Sequence, residues 1–223
     1  MSSRLCFCIF SFLLFEAAHS EAIHDLLIIT NCDGKVGIDV KVNKDSEEER
    51  AFTKLLREVV KSYLQKEPEA VLNIGCGNGA DTGAFKNAFQ DTTEILGVDV
   101  NETEIEEARR EFADVNIQFQ HLDMADAAVL DDPKRYDVIV MRHPEPFPNY
   151  QAWENIFSNA KALARAGGLM VITTYARSEV DFFASRKEPS VFLAHHGRNP
   201  FFSGIIQHNV GRDLYYAVFG MMT

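Results

Sequence analysis

Three glycines at alternate positions, Gly75, Gly77 and Gly79, follow directly on the apolar run Ala70–Ile74. A strand that runs into such a turn builds a floor for a nucleoside-type ligand. The chain there visits backbone angles that side chains forbid, and a ligand can approach the main chain only where no Cβ stands in the way. Asp99 ends a second strand-like run, 22 residues after the middle glycine. A carboxylate at the tip of the neighbouring strand lies across the crevice from the glycine loop, where it can accept both ribose hydroxyls. Alone, this pair leaves the ligand open, because Gly75-x-Gly77-x-x-Ala80 also satisfies the rule for NAD-type dinucleotides. Cys76, inside the loop, reads as a small buried filler.

A second chemical cluster is the loop Arg142-His-Pro-Glu-Pro-Phe147. An imidazole titrates near neutral pH, so His143 could take a proton from an acceptor, and the Arg142 guanidinium could hold an anionic one. Pro144 and Pro146 stiffen the loop, and Phe147 could stack on a flat molecule. His195, His196 and His208 have no third ligand at sensible spacing, so no metal site is expected.

The elements that must position these groups alternate. Strands are expected near 70–74, 94–99, 116–121, 136–141 and 168–175, and helices near 80–89, 102–113, 149–164 and 178–187, with a short helical turn near 125–130. Such alternation implies an α/β fold with a mostly parallel, doubly wound sheet covered on both faces. The segments 204–209 and 214–219, either side of Val210–Asp213, read as a closing antiparallel hairpin, which brings the sheet to seven strands. Upstream, residues 26–42 read as a hairpin turned at Asp33-Gly34. Ser46 and Glu49 form a capping box for a helix whose apolar positions run from Phe52 to Leu64. The expected layout is a leader at 1–20, a hairpin extension at 21–45 and the main domain at 46–223.

With Gly79 counted, the glycine loop resembles motif I of the class I S-adenosylmethionine-dependent methyltransferases. Gln120-His-Leu-Asp123-Met124 is similar to that family's acidic position for the adenine amino group with its apolar neighbour, Tyr136–Phe147 to its motif IV, and Ala164–Thr174 to its Gly-Gly turn into the fifth strand. A terminal antiparallel hairpin is also that family's mark, and the likeness runs from about Glu47 to the C-terminus. The resemblance implies a Rossmann-like methyltransferase fold, S-adenosyl-L-methionine as cofactor, and transfer of a sulfonium methyl by in-line displacement. It places Asn73, Gly75, Cys76, Gly77, Gly79, Asp99, Val100, Asp123, Met124 and Arg142 at cofactor positions, with His143 and Arg142 as candidate catalytic groups. Two residues depart from it. Asn73 stands where the family carries an acid, and Arg165-Ala166 replaces Lys/Arg-Pro before Gly167. Two other readings share some of these features: a nicotinamide-dependent oxidoreductase and a non-catalytic S-adenosyl-ligand-binding protein.

A formal charge of −11, with no basic stripe, argues against an unaided grip on nucleic acid. With 223 residues there is room for one full domain and no separate recognition module, so a small-molecule acceptor is expected. Arg4 precedes an apolar run, Leu5–Phe15, that ends near small Ala18 and Ser20, as a cleaved signal peptide would. The run is too short for a membrane span, for which about 20 residues are needed. Export by such a leader conflicts with a methyl donor made in the cytosol, so the site of action is open between the two.

Overall fold

The computed structural model describes residues 28–32, 35–39, 47–126, 135–186, 191–201 and 213–222. The chain divides into two units, Met1–Asn43 and Lys44–Thr223. In the first, β1 (Ile28–Cys32) and β2 (Lys35–Asp39) pair antiparallel, Cys32 opposite Lys35, as the hairpin reading requires. The leader, Asp33-Gly34 and Ser46 lie outside the described residues.

In the second unit, α1 (Glu47–Tyr63) leads into β3 (Ala70–Ile74), α2 (Ala80–Ala88), β4 (Glu94–Asp99), α3 (Glu102–Glu111) and β5 (Gln118–His121). Then follow β6 (Tyr136–Arg142), α4 (Tyr150–Leu163), β7 (Ala164–Thr174), α5 (Arg177–Ala184), β8 (Val191–Arg198) and β9 (Tyr215–Met221). The seven strands of this unit lie in the order β5-β4-β3-β6-β7-β9-β8. The first five are parallel, while β9 runs antiparallel to both β7 and β8. Every residue of β3 and β6 is buried, which is why they read as unbroken apolar runs rather than as alternating strands. Val71, Val138, Val140, Val171 and Val218 pack on one face with Phe52, Leu56, Phe85 and Ile105 of α1, α2 and α3. Leu72, Ile139, Met141, Ile172 and Phe219 pack on the other with Phe157 and Phe183 of α4 and α5.

Two expectations need correcting. Strand β7 begins at Ala164, not 168, because the Gly167-Gly168 turn is a bulge inside the strand: Tyr136 pairs with Ala164, but Val138 already pairs with Leu169. The antiparallel partner of the last strand is β8, a segment with no strand expected in it. The stretch 204–209, expected as that partner, lies outside the described residues, as do 127–130 and His208.

Because β4 and β6 flank β3 on opposite sides, the chain reverses its winding direction at the carboxyl end of β3. A crevice opens at such a point in an open α/β sheet, and ligands bind there.

Candidate active site

The glycine loop turns at the carboxyl end of β3 with φ of 74° at Gly75, 52° at Gly77 and 84° at Gly79. These are left-handed angles that side-chain-bearing residues reach only at a cost. The loop is tied to β4: the N–H groups of Gly75 and Cys76 donate to the carbonyl of Val98, at 2.8 and 3.0 Å. Gly77 N–H donates to Asp99 Oδ2 at 2.8 Å, and Asn101 N–H to Oδ1 at 2.9 Å. The first turn of α3 is capped by Asn101, whose side chain accepts from Thr103 and Glu104. Asp99 is therefore not a helix cap. It is fixed across the loop, and each of its oxygens keeps a further acceptor site. The Cys76 thiol is pushed up to about 12, by burial first and then by Asp99 nearby, so it stays protonated at neutral pH.

Beyond Asp99, Val100 is 65% exposed at the rim of the crevice. Asp123 follows β5, exposed, and accepts from the Ala125 N–H at 2.8 Å. Met124 was expected against a ligand ring. Instead it is 4% exposed and packs in the core on the α4 side, its carbonyl accepting from Asn159. The open apolar side chain at this rim is Val100.

Asn73 is buried on the α1–α2 face, and its Nδ2 donates to Thr82 Oγ1 at 2.9 Å. Its Oδ1 is buried and without a partner among the described residues. That orphan acceptor fits an ammonium donor such as an amino-acid moiety carries. A Cβ added at Gly75 would meet nothing within 4 Å, so the surface over that glycine is open. At Gly79 it would strike Phe119 at 2.7 Å, so that glycine is there for packing. Open floor, fixed carboxylate and buried acceptor together suit the S-adenosyl group that the resemblance implies.

At the end of β6, Arg142 lies on the same face as Asn73, and the sequence reading missed its partners. Its Nε donates to both oxygens of Asp213, at 3.1 and 3.0 Å, and Nη2 to Oδ2 at 2.6 Å. Nη1 donates to Glu49 Oε1 at 2.7 Å and to Asp81, and the guanidinium lies 4.2 Å over the Phe52 ring. Burial alone would lower the pKa of Arg142, but the carboxylates of Asp213, Asp81 and Glu49 raise it above its ordinary value. The side chain is 1% exposed. Arg142 thus has no free edge for an anionic acceptor, and its place in this structure is to hold three carboxylates from α1, α2 and the turn before β9. Glu49, expected to cap α1, spends Oε1 on it.

Asp213 is fully buried, and Thr173 Oγ1 donates to its Oδ1 at 2.5 Å. Burial alone would raise the Asp213 carboxyl. The His143 and Arg142 side chains outweigh it and hold the group well below the usual carboxylate range. His143 N–H donates to the Thr173 carbonyl at 2.8 Å, and its ring stacks on Tyr175 at 4.3 Å. Pro144 and Pro146 are buried, whereas Phe147 and Tyr150 stand exposed, edge to face at 5.7 Å. His195 and His196 sit on the edge strand β8, away from this loop in the sheet order. No three potential metal ligands come together among the described residues, and no described helix is long and apolar enough to cross a membrane.

Residues 71–168 match the family model described as a methyltransferase domain. No curated protein matches the chain. Among solved structures, the N-methyltransferase NodS of Bradyrhizobium japonicum superposes with a TM-score of 0.58 at 16% identity, covering 81% of this chain and 100% of NodS. An S-adenosylmethionine-dependent methyltransferase of Clostridium acetobutylicum gives 0.60 at 8% identity, covering 82% of this chain and 94% of that one. The plantazolicin methyltransferase BpumL, solved in complex with a triazolic desmethylPZN analog and SAH, gives 0.59 at 14% identity, covering 80% of this chain and 86% of that one. At these identities the likeness is one of fold.

Proposed function

We propose that this chain is a class I S-adenosylmethionine-dependent methyltransferase and methylates a small-molecule acceptor held between the glycine loop and the loop 142–147. The observation that carries this reading is the crevice at the carboxyl ends of β3, β4 and β6. There an open Gly75 floor and a fixed Asp99 on one side meet the His143 loop on the other. Gly75, Gly77 and Asp99 would hold the cofactor's nucleoside, with Val100 and Asp123 at its base and the Asn73 acceptor toward its amino-acid end. S-adenosylmethionine, when bound, supplies an electrophilic methyl carbon. The chain supplies alignment, which for a well-placed nucleophile can contribute about 7–11 kcal/mol.

The charge at the site narrows the acceptor. One guanidinium is set among three carboxylates, and the Glu49 and Asp81 side chains are partly exposed while Arg142 is sealed. A negative surround of this kind favours a neutral or cationic acceptor over an anionic one. A small acceptor is also supported by the net charge of −11, which disfavours a nucleic-acid one.

Calorimetry with S-adenosylmethionine and S-adenosylhomocysteine, with NAD and NADP as controls and Asp99→Ala alongside, tests the reading. Micromolar binding of the S-adenosyl ligands, weakened at least tenfold by the substitution, is expected. Binding of NAD instead would return the site to the oxidoreductase reading.

A further inference from the structure

An open groove of about 520 Å³ lies at the amino end of the parallel strands, bounded by the last turns of α1, the turn that follows it and Phe89 at the end of α2. That is the opposite end of the sheet from the glycine loop. Lys61 comes twelve residues after Glu49, which bonds to Arg142, and so lies about 18 Å further along α1.

The groove is cationic on a chain that is not. Arg57, Lys61 and Lys66 are three of its seven lining residues, against 22 Lys and Arg in 223 residues overall and a formal charge of −11. Glu67 is the one acid in the lining, and Val60 and Phe89, both buried, close the groove below. Arg57 and Lys61 stand one helical turn apart, so they share a flank of α1. Arg57 Nη2 donates to the Asn87 carbonyl at 2.5 Å, which fixes the guanidinium at the end of α2. Like charges at that spacing work against the helix. Nothing close by offsets them: the Lys61 side chain has no ion pair among the described residues, and Lys66 comes no nearer to Glu69 and Asp137 than 3.8 and 3.7 Å. Glu58, next to Arg57 in sequence, lines a separate groove on the other flank with Ser62 and Tyr63.

We propose that this groove binds a small anion carrying two or more negative charges, of phosphate or carboxylate type, at a site separate from the crevice. Among the described residues the Arg57 guanidinium keeps Nε and Nη1 unspent, and that fork matches two oxygens of either group. Lys61 and Lys66 each add an ammonium with three donors. The positive charge is local, which limits the size of the ligand. An extended polyanion, such as a nucleic acid strand or an anionic bilayer, would also lie over the acidic remainder of the chain and be repelled by it. A small anion meets only the three cations, and the volume is that of a small-molecule site. The site stands independently of the methyl-transfer reading.

Calorimetry on the full chain at low ionic strength, with pyrophosphate and citrate as separate probes, tests the proposal. One-to-one binding of at least one probe is expected, weakened at least tenfold in the double variant Arg57→Gln, Lys61→Gln and unchanged within twofold in Arg110→Gln on α3. The tighter probe names the anion's type. Should the double variant fail to fold, Lys61→Gln, which removes no contact that holds the fold, is expected to weaken binding at least threefold. Saturating S-adenosylhomocysteine should leave the affinity unchanged. No binding of either probe, binding unaltered by the groove variants, an equal loss in Arg110→Gln, displacement by S-adenosylhomocysteine, or tighter binding of oligothymidylate than of pyrophosphate would each overturn the proposal. A chain that binds no S-adenosyl ligand but still loses pyrophosphate or citrate binding in the groove variants would lose the methyl-transfer reading and keep this site.

Discussion

Arg142 shows how a residue can be central to a site without touching what the site binds. Its guanidinium is the common partner of Glu49, Asp81 and Asp213, so its removal would leave three carboxylates facing one another, one of them fully buried. Breaking a buried pair from one side costs about 3–5 kcal/mol. Arg142→Met should lower unfolding stability in urea by that order at neutral pH, with part of the loss recovered in acid as the stranded carboxylates protonate. A loss under about 1 kcal/mol would mean that solvent screens the cluster. The acid side of the wild-type curve follows from Asp213. Its folded-state pKa lies below the unfolded value of about 3.9, so the stability it contributes is complete above about pH 5 and drains as pH falls through 4 toward the folded value. Asp213→Asn should flatten that slope in urea titrations at successive pH values. None of this cluster was legible in the sequence beyond Arg142 itself. Asp81 and Asp213 carry no motif and Glu49 reads only as a capping residue, and the three meet only because α1 and α2 start, and the turn before β9 lies, at the carboxyl end of the parallel strands.

Position in the sheet explains why some elements were readable and others were not. β3, β4 and β6 are buried on both faces and so appear as apolar runs with sharp ends. β8 is an edge strand in which His195, His196 and Arg198 interrupt the apolar pattern, and its pairing with β9 is fixed by tertiary contact rather than by periodicity. The glycine turn is legible as a whole, but the division of labour within it is set by tertiary packing. Gly79→Ala would place a methyl 2.7 Å from the Phe119 ring at a φ of 84°, so it should cost about 2–4 kcal/mol from overpacking and backbone strain together. Gly75→Ala has open space for its methyl and pays only the left-handed backbone, about 1–2 kcal/mol. That methyl would project where a ligand must approach. Thermal melts paired with S-adenosylhomocysteine calorimetry should therefore cross over: Gly79→Ala the larger loss of stability, Gly75→Ala the larger loss of affinity relative to stability. Parallel losses in both variants would make the open floor over Gly75 irrelevant to binding.

At the scale of the whole chain, the division at Asn43 carries its own consequence. The unit Lys44–Thr223 contains both core clusters, the glycine loop, Asp99 and the entire Arg142 network, while the unit before it contributes a two-stranded hairpin, a motif that is marginal in water by itself. A seven-stranded sheet covered on both faces by five helices buries enough apolar surface to fold without help. The chain shortened to 44–223 should therefore melt within a few degrees of the full chain and bind S-adenosylhomocysteine within about threefold of it. It also retains Cys76 as its single cysteine. Because burial holds that thiol protonated, a thiol reagent at mildly alkaline pH should label the shortened chain slowly when native and at once in denaturant. Native labelling as fast as the denatured rate would show that the glycine loop opens freely in the shortened chain and that burial does not protect the thiol.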